Sequence, residues 1–142
     1  KISDLIKINF EKFNNNNKKL YITDNFENDE PEIIFKDEIM YALGNIIQNA
    51  VIYSKSKVLA ELTYDSINLK VKISDDGIGF SKEIIDKLGE PYISKNNKGM
   101  GLGIFIAKNL IENMGGKITF YNSKQNNAVV EINLLNSILR LW

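Results

Sequence analysis

The sequence predicts an α+β two-layer sandwich in which about three helices cover one face of a mixed, mostly antiparallel sheet. Three observations predict it. Apolar residues recur at helical spacing in residues 1–13, 37–54 and 102–114. Apolar and polar residues alternate in residues 57–64, 67–74, 117–122 and 128–134, which reads as two hairpins. The resulting order is helix, strands, helix, hairpin, loop, helix, hairpin, with no internal repeat and no second domain.

The first helix rests on Ile2, Leu5, Ile6 and Phe10. The run Asn14-Asn15-Asn16-Asn17 ends it and reads as a solvated loop, so residues 1–17 form an N-terminal helix and loop. Leu20, Ile22 and Asp24 then alternate with Lys19, Tyr21 and Thr23 in a strand. A polar loop holding Pro31 follows, and Ile33-Ile34-Phe35 suggests a short second strand. Residues 37–54 are the strongest helix, with Asp37 as its expected N-cap. Ile39, Leu43, Ile46, Ile47 and Ala50 share one face at about 100° per residue, and Tyr41, Asn45, Asn49 and Ile52 fall opposite. Asp65-Ser66 joins the first hairpin, and a glycine-bearing turn runs from Asp75 to Phe80. Ser81 is expected to cap a short helix reaching Leu88. Residues 89–101 lack periodicity and read as a long loop, a length that in a compact domain is usually functional. Gly115-Gly116 closes the helix of 102–114, and the tail to Trp142 reads as irregular.

A chain of 142 residues suits one domain and buries roughly 70% of the surface its unfolded form exposes. Lys and Arg together number 18, as do Asp and Glu, so no global field draws the chain to nucleic acid or to an acidic membrane. There are no cysteines, which excludes disulfides, thiol catalysis and Cys-ligated zinc and fits a reducing compartment. There are no histidines either, which excludes a Ser-His-Asp triad, an imidazole base and the usual metal ligands. No apolar run approaches a membrane span, and no signal peptide opens the chain. The first residue is Lys, so the chain is expected to be a fragment.

Three short patterns carry chemistry. Asn45 and Asn49, four apart, share the polar face of an otherwise apolar helix; alone, such a pair reads as surface amides. Asp75-Asp76-Gly77-Ile78-Gly79 follows directly on a strand. Its glycines permit a tight turn and close approach of backbone to a ligand, and a carboxylate at the strand end can accept a hydrogen bond from an exocyclic amine. Alone, it reads as an Asp-Gly turn. Gly99-Met100-Gly101-Leu102-Gly103 opens a helix, where backbone N–H groups and the helix dipole suit phosphates. It lacks the preceding strand of a dinucleotide fold, and the chain has no G-x-x-x-x-G-K-[ST] phosphate loop.

In this order, Asn45-x-x-x-Asn49-Ala50, Asp75-x-Gly77-x-Gly79 and Gly99-x-Gly101-Leu102-Gly103 resemble the N, G1 and G2 boxes of the GHKL (HATPase_c) ATP-binding superfamily. Its members include sensor histidine kinases, gyrase-type ATPases, Hsp90 and MutL. The resemblance spans roughly residues 33–134 and implies the Bergerat fold with a flexible ATP lid, here 89–101. Within the superfamily, Asn45 to Ser54 is most similar to the N box of histidine kinases. Hydrolytic members carry Glu where this chain has Asn45, and an amide cannot take a proton from water at neutral pH. The stretch Leu88 to Lys95 resembles the kinase F-box lid; together with Gly99 to Glu112 it looks closest to the RegB/PrrB-type redox-responsive kinases.

The resemblance implies a role for each matching residue. Asp75 receives the adenine amino group, Tyr53 lies against the base, and Gly77 and Gly79 let backbone close under the nucleotide. Asn49 ligates Mg²⁺ through its side-chain oxygen, with Asn45 a second candidate. Gly99, Gly101, Leu102 and Gly103 form the lid hinge and phosphate-facing backbone. Lys95 and Lys98 are candidate contacts to the γ-phosphate, or solvated lid lysines. ATP and Mg²⁺ are the implied cofactors. The implied partners are a separate dimerisation domain bearing the phosphoacceptor histidine and, through it, a response regulator in two-component signal transduction. Nucleic acid and membrane are not expected as partners of this piece, which is expected to be monomeric and cytoplasmic, within a membrane-anchored sensor kinase. A serine-directed relative of the anti-sigma-factor kinases and a degenerate nucleotide-binding module are the alternatives.

The chain departs from the family pattern in three places. Ile52 stands where many members carry a Lys or Arg aimed at phosphate. Asp76 stands where Asn is common, and is expected to add an anion near the site. The last hairpin lacks a frequent Gly-Thr, so no family role is carried over there.

Overall fold

A computed structural model of the chain describes residues 2–14, 17–26, 36–65, 67–82, 85 and 100–135. The elements are α1 (Ile2–Phe13), β1 (Lys19–Phe26), α2 (Asp37–Tyr53), β2 (Lys57–Tyr64), β3 (Asn68–Asp75), α3 (Met100–Asn113), β4 (Lys117–Asn122) and β5 (Ala128–Leu135). The expected strand at 33–35, the loop at 89–99, most of the helix at 81–88 and the tail 136–142 lie outside the described residues. From the 81–88 segment, the Ile85 N–H donates to the Ser81 carbonyl at 2.9 Å, one helical turn.

The strands form one five-stranded sheet in the order β1-β2-β3-β5-β4. β2–β3, β3–β5 and β4–β5 run antiparallel, while β1 and β2 run parallel. A parallel pair needs a crossover, and α2 lies in that connection. Alternation then puts Val58, Ala60 and Leu62 of β2, Leu69, Val71 and Ile73 of β3, and Val130, Ile132 and Leu134 of β5 on the buried side. The helices fill this face. α2 is central: it contacts α1, α3, β2 and β3, and buries Ile39, Ala42, Leu43, Ile46, Ile47, Ala50 and Val51. Together they make the α+β sandwich expected from the pattern.

Details differ at the ends of helices. Asp37 is the first residue of α2, and the N-cap is Lys36, which makes no side-chain capping bond. Asp37 and Glu38 instead place negative charge in the first turn, where the helix dipole favours it. α3 starts at Met100 and so takes in Gly101, two residues earlier than the periodicity suggests. Its far end is a Schellman closure. Gly115 has φ 85°, Gly115 N–H donates to Glu112 O at 2.9 Å and Gly116 N–H to Ile111 O at 3.0 Å. The asparagine run is also more than a solvated loop. Asn14 donates to Lys18 O at 2.8 Å and accepts from Lys18 N–H at 3.1 Å, and Asn17 takes a left-handed φ of 57°. Among the described residues, no helix is long and apolar enough to cross a membrane.

Candidate functional site

Asp75 is the last residue of β3 and sits opposite Val58 of β2. Strict alternation from Leu69 therefore carries a carboxylate into the core-facing row, where it is 8% exposed. One of its oxygens accepts a hydrogen bond from Gly77 N–H at 2.8 Å. Burial dominates its chemistry and pushes the carboxyl up to about 6; the Gly77 bond and the Lys18 charge oppose this, and neighbouring Asp76 reinforces it.

The turn after Asp75 is wedged between two other elements. A Cβ on Gly77 would stand 2.1 Å from the Tyr53 carbonyl oxygen at the end of α2. Gly79 has φ 82°, and a Cβ there would stand 2.2 Å from the Asn126 carbonyl oxygen. Both positions are therefore closed to any side chain. Phe80 is held from the other side: its N–H donates to Asn122 Oδ1 and its carbonyl accepts from Asn122 Nδ2, both at 2.8 Å.

A cavity of about 220 Å³ opens between α2, this turn, α3 and the sheet. Asn49, Ala50 and Tyr53 line it from α2, Ile73 and Asp75 from β3, Ile78, Gly79, Phe80 and Ser81 from the turn, Ile104 from α3, and Ala128 and Val130 from β5. Among the described residues, Asp75 is its one lining carboxylate, and the others are mostly apolar. Asn49 contributes an amide whose Nδ2 is buried with no hydrogen-bond partner among the described residues, a group that costs stability unless an acceptor arrives. The cavity thus suits a flat apolar body that offers an amino group at one end and acceptors at the other.

The sequence-predicted residues divide into those in the cavity and those around it. Asn49, Tyr53, Asp75 and Gly79 line it. Gly77 lies behind it as the contact to α2. Asn45 stands one turn before Asn49. Its Nδ2 donates to Tyr41 O at 3.0 Å, and its Oδ1 lies 3.2 Å from where a Cβ of Gly103 would be. The polar face of α2 and the first turn of α3, which holds Gly101, Leu102 and Gly103, therefore meet at Gly103, where a Cβ would fit only if the Asn45 side chain gave way by a few tenths of an ångström. Lys95, Lys98 and Gly99 lie outside the described residues. Ile52 is 52% exposed and does not line the cavity.

Asp76 does not line the cavity, but as expected it adds an anion near the site, raising the Asp75 carboxyl. Its own carboxylate accepts from Lys55, Ser56 and Lys57 N–H at 2.8 to 3.2 Å and from the Ser56 hydroxyl at 2.7 Å. Desolvation raises its pKa, but the Ser56 hydroxyl and the backbone donors of Ser56, Lys57 and Lys55 outweigh it and hold the carboxyl well below the usual range. The last hairpin, to which no family role was carried over, braces the glycine turn through Asn122 and Asn126. Asn122 and Phe80 are 42 residues apart, and no local pattern announces such a pair.

The family profile described as "Histidine kinase-, DNA gyrase B-, and HSP90-like ATPase" matches residues 36–137. The chain belongs to this family. It is thus an ATP-binding domain of the HATPase_c type. Over 105 residues, 66% of the chain, it is 33% identical to "Sensor histidine kinase RegB" of Cereibacter sphaeroides. Over 111 residues, 74% of the chain, it is 30% identical to "Sporulation kinase B" of Bacillus subtilis. The chain spans about a quarter of the length of these curated relatives, 23% and 26%. The solved structure titled "Mycobacterial sensor histidine kinase MprB" superposes with a TM-score of 0.76 at 19% identity, covering 94% of this chain and 93% of that one. At that identity the likeness shows the fold. Among the described residues, no group of three or more His, Cys, Asp or Glu side chains is placed to hold a metal.

Proposed function

We propose that this domain binds ATP with Mg²⁺ and supplies the γ-phosphoryl group to a histidine on a separate dimerisation domain, in two-component signalling. The observation that carries the reading is the cavity that gathers Asn49, Tyr53, Asp75 and Gly79. In this reading the Asp75 oxygen not engaged by Gly77 accepts from the adenine amino group, and the Tyr53 ring flanks the base. Apolar walls from Ala50, Ile73, Ile104 and Val130 exclude water around that contact, which strengthens it.

Mg²⁺ fits the α2 donor set: Asn45 and Asn49 carry hard amide oxygens, and Asn45 Nδ2 is already engaged by Tyr41, which leaves Oδ1 to face α3. An ion held by these amide oxygens would supply positive charge that offsets the charge of the triphosphate. The first turn of α3 is a helix N-terminus, where backbone N–H groups and the helix dipole favour the same phosphates. With Asn45 at the position of the hydrolytic Glu, the chain has an amide there and no base for water, which favours transfer over hydrolysis. Catalysis of phosphoryl transfer is then mainly positioning and charge stabilisation.

The 142 residues contain no histidine, so the acceptor belongs to another segment or chain. With radiolabelled ATP, the isolated chain takes up no acid-labile phosphate. A histidine-bearing dimerisation domain from a sensor kinase, mixed in at high concentration, becomes labelled. Labelling of the isolated chain, or of serine in place of histidine in the acceptor, contradicts the reading.

A further inference from the structure

Residues 1–35 precede the span that matches the family, yet one of them reaches the back of the cavity. The Lys18 ammonium donates to the Val51 carbonyl and to the Ser54 carbonyl, the latter at 2.9 Å. Val51 and Ser54 flank Tyr53 at the last turn of α2, where carbonyls lack intrahelical partners and a cation is favoured. The Ser54 hydroxyl adds a bond to the Val51 carbonyl at 2.9 Å. The Tyr53 carbonyl presses against Gly77, and Gly77 N–H holds Asp75. A continuous path thus runs from Lys18 through the α2 terminus and the glycine turn to the buried carboxylate. Lys18 itself is held by its reciprocal bonds with Asn14 and by the Lys19 N–H bond to Ser56 O at 2.9 Å.

We propose that Lys18 is a positioning residue for the nucleotide cavity, setting the α2 terminus against the glycine turn that holds Asp75. The proposal rests on the ATP reading given above. Charge acts in the same direction as geometry: Lys18 lowers the Asp75 carboxyl, whereas Asp76 raises it. The other titratable groups lining the cavities on either side of Asp75 are Tyr53 of α2, Lys57 and Glu61 of β2 and Lys72 of β3. Of these, Lys72 and Glu61 pair with each other at 3.7 Å.

The test measures ATP affinity of the 142-residue chain from pH 5 to 8.5, with thermal midpoints in parallel. Lys18→Met loses about tenfold in ATP affinity at pH 7.5, and the pH at which binding fails moves upward. Lys18→Arg, which keeps the cation, restores both to near the wild-type curve. If Lys18→Met melts earlier yet binds ATP with the wild-type affinity and pH profile, the lysine is a structural cap only and the proposal is overturned. Should that variant not fold, Asn14→Ala, which keeps the lysine and frees its loop, carries the same test with the same two outcomes. Failure of the wild-type chain to bind ATP at any pH is a different result, and sinks the ATP reading instead.

Discussion

Two adjacent aspartates have opposite fates because alternation sends one into the core and the other to the chain reversal. Asp75 is buried and raised to about 6; its neighbour is solvated by backbone donors and lowered. The consequences for stability have opposite signs. For Asp75 the folded state binds the proton more tightly than the unfolded chain. Its stabilising contribution is therefore present below the ordinary carboxylate pKa and lost as pH rises through about 6. At pH 7.5 Asp75→Asn is expected to raise stability by about 1–3 kcal/mol while, in the proposed reading, replacing one of the two acceptor oxygens by an amide donor that faces either Gly77 N–H or the adenine amine. Thermal melts at pH 5 and 7.5 check this: the gain appears at the higher pH and fades at the lower. For Asp76 the contribution is present above the ordinary carboxylate pKa and lost as pH falls through its depressed folded value. Asp76→Ala is expected to cost about 1–2 kcal/mol at neutral pH, the range of a capping side chain, with little direct effect on nucleotide. Urea titrations at neutral pH measure that cost.

At the scale of elements, the site is an assembly of ends: the C-terminus of α2, the last residue of β3, the start of α3 and the β4–β5 hairpin. The helices and strands themselves were legible because each keeps one periodicity. The apolar sets predicted for α1 and for α2 are buried in the structure, and the strands of both hairpins fall within a residue of their predicted limits. The Asn45, Asp75 and glycine motifs were legible because their spacing is local. What escaped was long-range side-chain chemistry. Lys18 bonds Val51 across 33 residues and Asn122 bonds Phe80 across 42, and a polar residue in a loop carries no periodicity that points to its partner. The partners of Asp76 escaped for a related reason: composition shows an anion near the site, but only the turn geometry shows that it faces the donors of residues 55–57. The hairpin clamp makes its own prediction. Asn122→Ala leaves the Phe80 N–H and carbonyl without their partners, so it is expected to cost about 1–3 kcal/mol. Although Asn122 does not line the cavity, ATP affinity falls with it as the turn loosens. A chemical denaturation curve and an ATP titration on the same variant test both halves.

The whole molecule places one core beneath the sheet and the cavity at one end of that core, where α2 and α3 meet the sheet. Buried side chains of α2, β3, α3 and β5 make up most of its wall, which suits the proposed role of fixing a triphosphate for an acceptor on another segment. The central claim is that Asp75 reads the base within this cavity. Calorimetric titration at pH 7.5, with Mg²⁺ present, tests it most directly. The account predicts saturable binding of ATP by the wild-type chain, much weaker binding of GTP, whose six-position carries an oxygen where adenine carries an amine, and loss of ATP binding in a folded Asp75→Asn variant. Equal affinity for the two nucleotides, or undiminished ATP binding by that variant, contradicts it.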